Sequence, residues 1–245
     1  MRTCLTHLLL LALLPLVATG ANAQPAVRKP DPVALLAAAK NASGGNAWDA
    51  LRSQHSEVKL AVGTFAGTAE RWSDVVTGKS AIRYSIGPVE GASWFDGKTL
   101  WTQDGSDPPK VESAKAAVEL AVNAAYRDRL AFWFPTRAAG RIEYKESAEA
   151  DGRKYDVIAI TPEGGRTFEF WLDAETKLIE HLVEREGDNT RTEIYSDRRD
   201  VQGVKIPFRV RATRGDPKAD EIVVIEQIEF DGPLADVPFK RPASP

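Results

Sequence analysis

The spacing of apolar residues along this chain changes more than once. In "DPVALLAAAKNASGG" it is helical, with Val33, Leu35, Leu36 and Ala39 on one face. Asp31 suits the N-cap, Pro32 the first helical position and Gly44 the stop. "NAWDALRSQ" predicts a second, short helix with Asn46 as its cap. The spacing then drops to two. Val58, Leu60 and Val62 point one way in "EVKLAVGTFAG", as do Ile82, Tyr84 and Ile86 in "SAIRYSIG". "GASWF" and "KTLWTQD" are short runs joined by the Asp96-Gly97 turn. A helical period returns over residues 111–134, where Val111, Ala114, Val118, Ala121, Val122 and Ala125 form a stripe and Pro135 ends it.

Alternation then resumes. "RKYDVIAI" places Tyr155, Val157 and Ala159 on one face, and "RTFEFWLD" sets Phe168, Phe170 and Leu172 against Trp171. "KLIEHLVERE" and "TRTEIYS" follow. In "VKIPFRVRAT" the residues Val204, Ile206, Phe208, Val210 and Ala212 alternate with Lys205, Arg209, Arg211 and Thr213. Strict alternation in "EIVVIEQIEF" groups Ile222, Val224, Ile228 and Phe230, with Val223 and Ile225 opposite. These runs predict a mostly antiparallel β fold with helices (α+β), of about 10–11 strands. Strands apolar on both faces favour one curved sheet wrapped over helices rather than two flat layers.

The N-terminus carries its own signal. Arg2 is the only charge before a short apolar run, and Ala21-Asn22-Ala23 closes it. That pattern predicts a signal peptide over residues 1–23, cleaved before Gln24. Cys4, the only cysteine, falls inside it, so an exported chain would hold no disulfide. Residues 24–240 read as a single domain with the 111–134 helical insertion, and residues 241–245 as a flexible tail. A formal net charge of −3 argues against a nucleic-acid partner.

Chemical motifs are few. "GASWFDGKT" separates Gly91 from Gly97 by one residue too many for a phosphate loop, and a strand follows it where a helix is needed. His55 and His181 lie far from any second histidine, so metal binding has little to work with. There is no G-x-S-x-G elbow and no Asp-Thr-Gly or Asp-Ser-Gly. No catalytic residue, cofactor or metal is therefore expected. In "YSDRRDVQGVKIPF", Gln202-Gly203 reads as a turn, and Asp197, Arg198, Arg199 and Asp200 read as solvated residues approaching it. Pro207 lacks an N–H and so marks a sheet edge or a bulge. Trp72, Trp94, Trp101, Trp133 and Trp171 fit ordinary core packing, or the lining of an apolar cavity.

Several stretches resemble a known family. "FWLDAETKLIEHLVEREGDNTRTEIYSDRRDVQGVKIPFRVRA" and "IEFDGPLADVPFKRP" are similar to the outer-membrane lipoprotein-sorting (LolA-like) superfamily. "SGGNAWDALRS" and "WFDGKTLWTQDG" resemble it too, and also resemble the domain that precedes aspartic-protease domains in exported bacterial proteins. The resemblance implies an unclosed half-barrel with helices on its concave face. It further implies a periplasmic, non-enzymatic carrier whose partners are a lipid or acylated protein, and a membrane-associated protein. The expected cavity lining, from alternation, is Leu60, Val62, Ile82, Tyr84, Trp94, Trp101, Phe168, Phe170, Ile206 and Phe208. The likeness to protease-preceding domains implies the other reading, an accessory domain whose hollow is filled by its own helices.

Overall fold

The computed structural model describes residues 29–186, 189–232 and 234. The expected signal peptide, the 241–245 tail and most of the closing "DGPLADVPFKRP" lie outside these residues. The first helix, α1 (Pro32–Ser43), forms as expected: the Asp31 carboxylate accepts from the Val33 N–H at 3.0 Å. Gly44 caps it at φ 141°, and a Cβ there would stand 2.6 Å from the Gly203 carbonyl oxygen. Glycine is thus required both for the turn and for close docking on a later hairpin. Leu36 and Ala39 are buried, but Val33 is 64 % exposed, so the packed stripe is narrower than the sequence suggests. Helix α2 (Ala47–Ala50) follows, without a side-chain bond from Asn46.

Among the described residues, thirteen strands then form one antiparallel sheet. They are β1 (Ser53–Val62), β2 (Phe65–Asp74), β3 (Ser80–Ile86), β4 (Val89–Phe95), β5 (Leu100–Asp104), β6 (Lys110–Glu112), β7 (Gly140–Ala150), β8 (Arg153–Pro162), β9 (Phe168–Asp173), β10 (Ile179–Glu186), β11 (Asn189–Val201), β12 (Val204–Thr213) and β13 (Glu221–Phe230). Their spatial order is β6-β5-β4-β3-β2-β1-β13-β12-β11-β10-β9-β8-β7. Two meanders thus meet where β1 pairs with β13. The free edges β6 and β7 are consecutive in the chain but do not pair, so the barrel stays open. Helix α3 (Lys115–Asp128) connects one edge to the other.

The architecture is the expected unclosed half-barrel with helices, and alternation undercounts its strands. Those not singled out are β2, β6 and β7. Edge strand β7 carries Arg141, Glu143, Lys145, Glu146 and Glu149, the charge a free edge uses against aggregation, which masks its period. The 111–134 insertion starts late. Val111 lies in β6, paired with Trp101 and 57 % exposed, because strand pairing continues through Glu112. The helical stripe buries Asn123, Ala125 and Tyr126.

Register defines the two faces. One carries Phe168, Phe170, Leu172, Ile158, Ile160 and Leu182 against Leu36, Ala39, Tyr126 and Phe132 from the helices and the turn after α3. Val204, Ile206, Phe208 and Phe230 continue it against Trp48 and Leu51. This is the helix-covered, concave face. The expected grouping within β13 is corrected by a bulge: Glu57 pairs with Gln227 while Val58 pairs with Ile225, leaving Glu226 as the extra residue. The parity therefore flips, and Ile228 and Phe230 share the concave face with Val223 and Ile225.

Candidate functional site

The concave face is not fully plugged. The turn after α3 places Phe132 and Trp133 over the sheet, with the Trp133 Nε1–H donating to the Leu36 carbonyl at 2.9 Å. Trp133 lies 5.1 Å from Trp48 and 4.7 Å from Phe132, and Phe132 stands edge-on to Phe170 at 5.0 Å. Aromatic contacts of this kind contribute about 0.5–1.5 kcal/mol each beyond the area they bury. Between the plug and strands β1, β12 and β13 a cavity of about 370 Å³ remains, with Trp48, Leu130, Ile206, Val210, Ile225 and Phe230 among its walls. This falls in the range of small-ligand sites, roughly 300–1,000 Å³.

A split in the sheet makes this room. β12 pairs with β13 only over Arg209–Ala212. Upstream, β12 still pairs with β11 through Pro207, while β13 beyond Val224 pairs with β1. Pro207 thus sits where its strand has lost one neighbour, a position where its missing N–H costs nothing. Ile206 and Pro207 on one side of the split, and Ile225 and Phe230 on the other, line the cavity.

Polar groups ring the apolar walls. Arg71 of β2 pairs with Asp128 at the end of α3, and the Ser73 hydroxyl donates to the same carboxylate at 3.1 Å. Adjacent Arg127 reaches the other way, to Glu184 of β10 at 3.3 Å, and the buried Asn123 amide donates to Glu184 as well. The C-terminal turn of α3 is therefore tied to both halves of the sheet. The Tyr195 hydroxyl donates to Glu193 at 2.9 Å, and burial together with the Glu193 charge holds its phenol well above the usual range. Burial lowers the pKa of Arg198, against the pull of Glu180 3.5 Å away. Its guanidinium donates to the Ile179 carbonyl.

The expected lining residues separate into four groups. Phe170 and Ile206 line the cavity. Phe168 and Phe208 lie on the same face but are consumed in the core. Leu60, Val62, Ile82 and Tyr84 also belong to the concave face, since Leu60 pairs with Val223 and Ile82 with Arg71, yet they stand half-buried away from the cavity. Trp94 and Trp101 are placed on the opposite face: Trp101, Trp94, Ala81, Trp72 and His55 form one cross-strand row. They pack there with Ala81, Ala92 and Trp72. Alternation within a strand leaves open which face is which, and an aromatic residue suits either.

Sequence reasoning missed Arg198, expected to be a solvated turn residue. It lies within β11 and lines the cavity with a side chain 18 % exposed. Asp197, Arg199 and Asp200 are exposed as expected. It also missed Arg71 and Asp128, whose roles depend on the α3 crossover, whereas Trp133, one of the tryptophans expected in the core or in a cavity wall, lines the cavity. On the convex face, His55 meets two carboxylates, Glu57 and Glu70, within 4.8 Å.

Neither a protein-family model nor a curated protein sequence matches the chain. Solved structures do match its fold. A LolA superfamily protein from Nitrosomonas europaea is similar at 12 % identity and TM-score 0.58, covering 83 % of this chain and 94 % of that one. A DUF1329 family protein from Desulfovibrio piger is similar at 13 % identity and TM-score 0.58, over 86 % and 98 % of the two chains. A domain named for outer-membrane lipoprotein sorting, from Vibrio parahaemolyticus, follows at 10 % identity and TM-score 0.57, over 85 % and 96 %. The chain thus has a LolA-like fold, and at these identities the likeness speaks for the fold alone.

Proposed function

We propose that the protein is an exported, periplasmic, non-catalytic carrier that holds the acyl chain of a lipid or acylated protein in its concave cavity. The observation that carries this reading is the open apolar space at the β12–β13 split, beside a plug that leaves it unfilled. Each methylene buried there would contribute about 0.8 kcal/mol. Arg71, Arg198 and the other polar groups at the rim would lie beside the polar end of such a ligand. The shared fold with a lipoprotein-sorting domain supports the class of ligand without naming it. A donor or acceptor at a membrane would complete the cycle.

Lipid extraction and native mass spectrometry of protein purified from its own periplasm, followed by titration with a fluorescent fatty acid, test the proposal. A co-purifying lipid and saturable probe binding are expected. Their absence would favour the other reading, an accessory domain whose hollow serves only its own helices. The packing of Trp48, Phe132 and Trp133 against the C-terminal half of the sheet favours that reading.

A further inference from the structure

We propose that His55, Glu57 and Glu70 form a binding site for a divalent transition-metal ion of the Zn²⁺ class on the convex face of the sheet. His55 and Glu57 are two apart on β1, so both point outward; Glu70 enters from β2 directly opposite Glu57. The His55 Nε2 lies 2.9 Å from a Glu70 oxygen, and one ligand atom from each of the three residues falls within 4.8 Å of the others. A tetrahedral ion held by nitrogen and oxygen at about 2.0–2.2 Å sets its ligands roughly 3.3–3.6 Å apart. The observed spacing brackets that value, so rotamer adjustment and release of the proton held between His55 and Glu70 close the site.

The electrostatics point the same way. Glu57 and Glu70 are directly opposed like charges, an arrangement that costs stability unless a cation compensates it. Arg83 stands opposite Glu70 on the other side, but its guanidinium lies over the Trp72 ring, 5.6 Å from the centroid, and not on the carboxylate. The groove beside the triad has a volume of about 820 Å³ and is lined by Glu57, Glu70, Glu90 and Glu226, with Arg83 as its one cationic lining residue. Glu226 is engaged by Lys59. The donor is also pre-positioned: the Trp72 ring stacks on the His55 imidazole at 5.1 Å and 5°. One imidazole and two carboxylates suit Zn²⁺ and its neighbours, and three protein ligands leave a coordination position for water.

Calorimetric titration of the full chain with Zn²⁺ alone tests the site. One saturable equivalent is expected, with the His55 ring resonances shifting in NMR spectra while those of His181 stay. His55→Ala, Glu57→Gln and Glu70→Gln should each weaken binding at least tenfold, and Trp72→Leu, which removes the orienting stack, about tenfold. His181→Ala should bind as the parent does. Melting curves without metal report whether each variant folds; Glu57 is exposed, so Glu57→Gln keeps the test valid if a less exposed position fails. No saturable Zn²⁺ binding, or binding undiminished in both His55→Ala and Glu57→Gln, would overturn the assignment.

Discussion

The two meanders of this sheet use the same alternation to different ends. In the C-terminal one, β7–β13, helices and the turn after α3 cover the concave face, and Phe168, Leu172, Ile158 and Ile160 are sealed completely. In the N-terminal one, β1–β6, α3 meets the equivalent face at Arg71, Ser73 and Phe95, while Leu60, Val62, Ile82 and Tyr84 lie beyond it and are only half-buried. There the large aromatics Trp94 and Trp101 pack on the other side of the sheet. On the concave face an apolar strand residue is thus sealed where another element arrives to cover it, whereas Trp94 and Trp101 are buried by packing across strands with Trp72, Ala81 and Ala92. The cavity lies along the seam between the regimes, where β13 leaves β12 for β1.

The largest difference between the two halves is expected in the core. Phe168→Ala should destabilise the fold by about 3–5 kcal/mol in urea unfolding, whereas Ile82→Ala, on the uncovered half of the same face, should cost about 1 kcal/mol. Equal losses would mean that the halves are covered alike. At the seam, Ile206→Trp should fill the cavity and weaken fatty-acid probe binding at least tenfold, about 1.4 kcal/mol, with the fold intact by circular dichroism. Ile82→Trp should leave the affinity unchanged. A seam that tolerated Ile206→Trp would show that the probe sits elsewhere.

Smaller effects sharpen the picture. Asp128→Asn removes the charge that ties α3 to Arg71, on the N-terminal half, but spares the Arg127–Glu184 link to the other half. Because Arg71 is partly exposed, the stability loss should be about 1 kcal/mol or less, while stopped-flow mixing should show faster probe association. The smallest effect concerns His181, packed against Tyr155 and Trp171 on the convex face. Burial lowers its pKa below the ordinary 6.5, so the folded state disfavours the proton that the unfolded chain accepts. Its contribution is present above pH 6.5 and lost as pH falls below that value. His181→Phe should flatten stability between about pH 7 and pH 5, measured by urea midpoints across that window.

Sequence periodicity was informative wherever one face of an element is covered. The cap and stop of α1, the Gln202-Gly203 turn, the buried run Val204–Phe208 and the alternation of β9 were all legible, because local backbone chemistry and a buried face dictate them. The unclosed antiparallel half-barrel followed from those runs together with the family resemblance. What the sequence could not decide depended on partners distant in the chain. The Glu226 bulge moved Ile228 and Phe230 to the other face through a register shift against β1. The row from His55 to Trp101 acquired its outward direction from the sheet's curvature and from where the helices dock. Arg198 became a cavity residue, and Glu70 a neighbour of His55, only through strand pairing and the crossing of α3. Periodicity specifies which residues share a face, a local property of φ and ψ. Which face is covered, and what gathers upon it, is settled by tertiary packing.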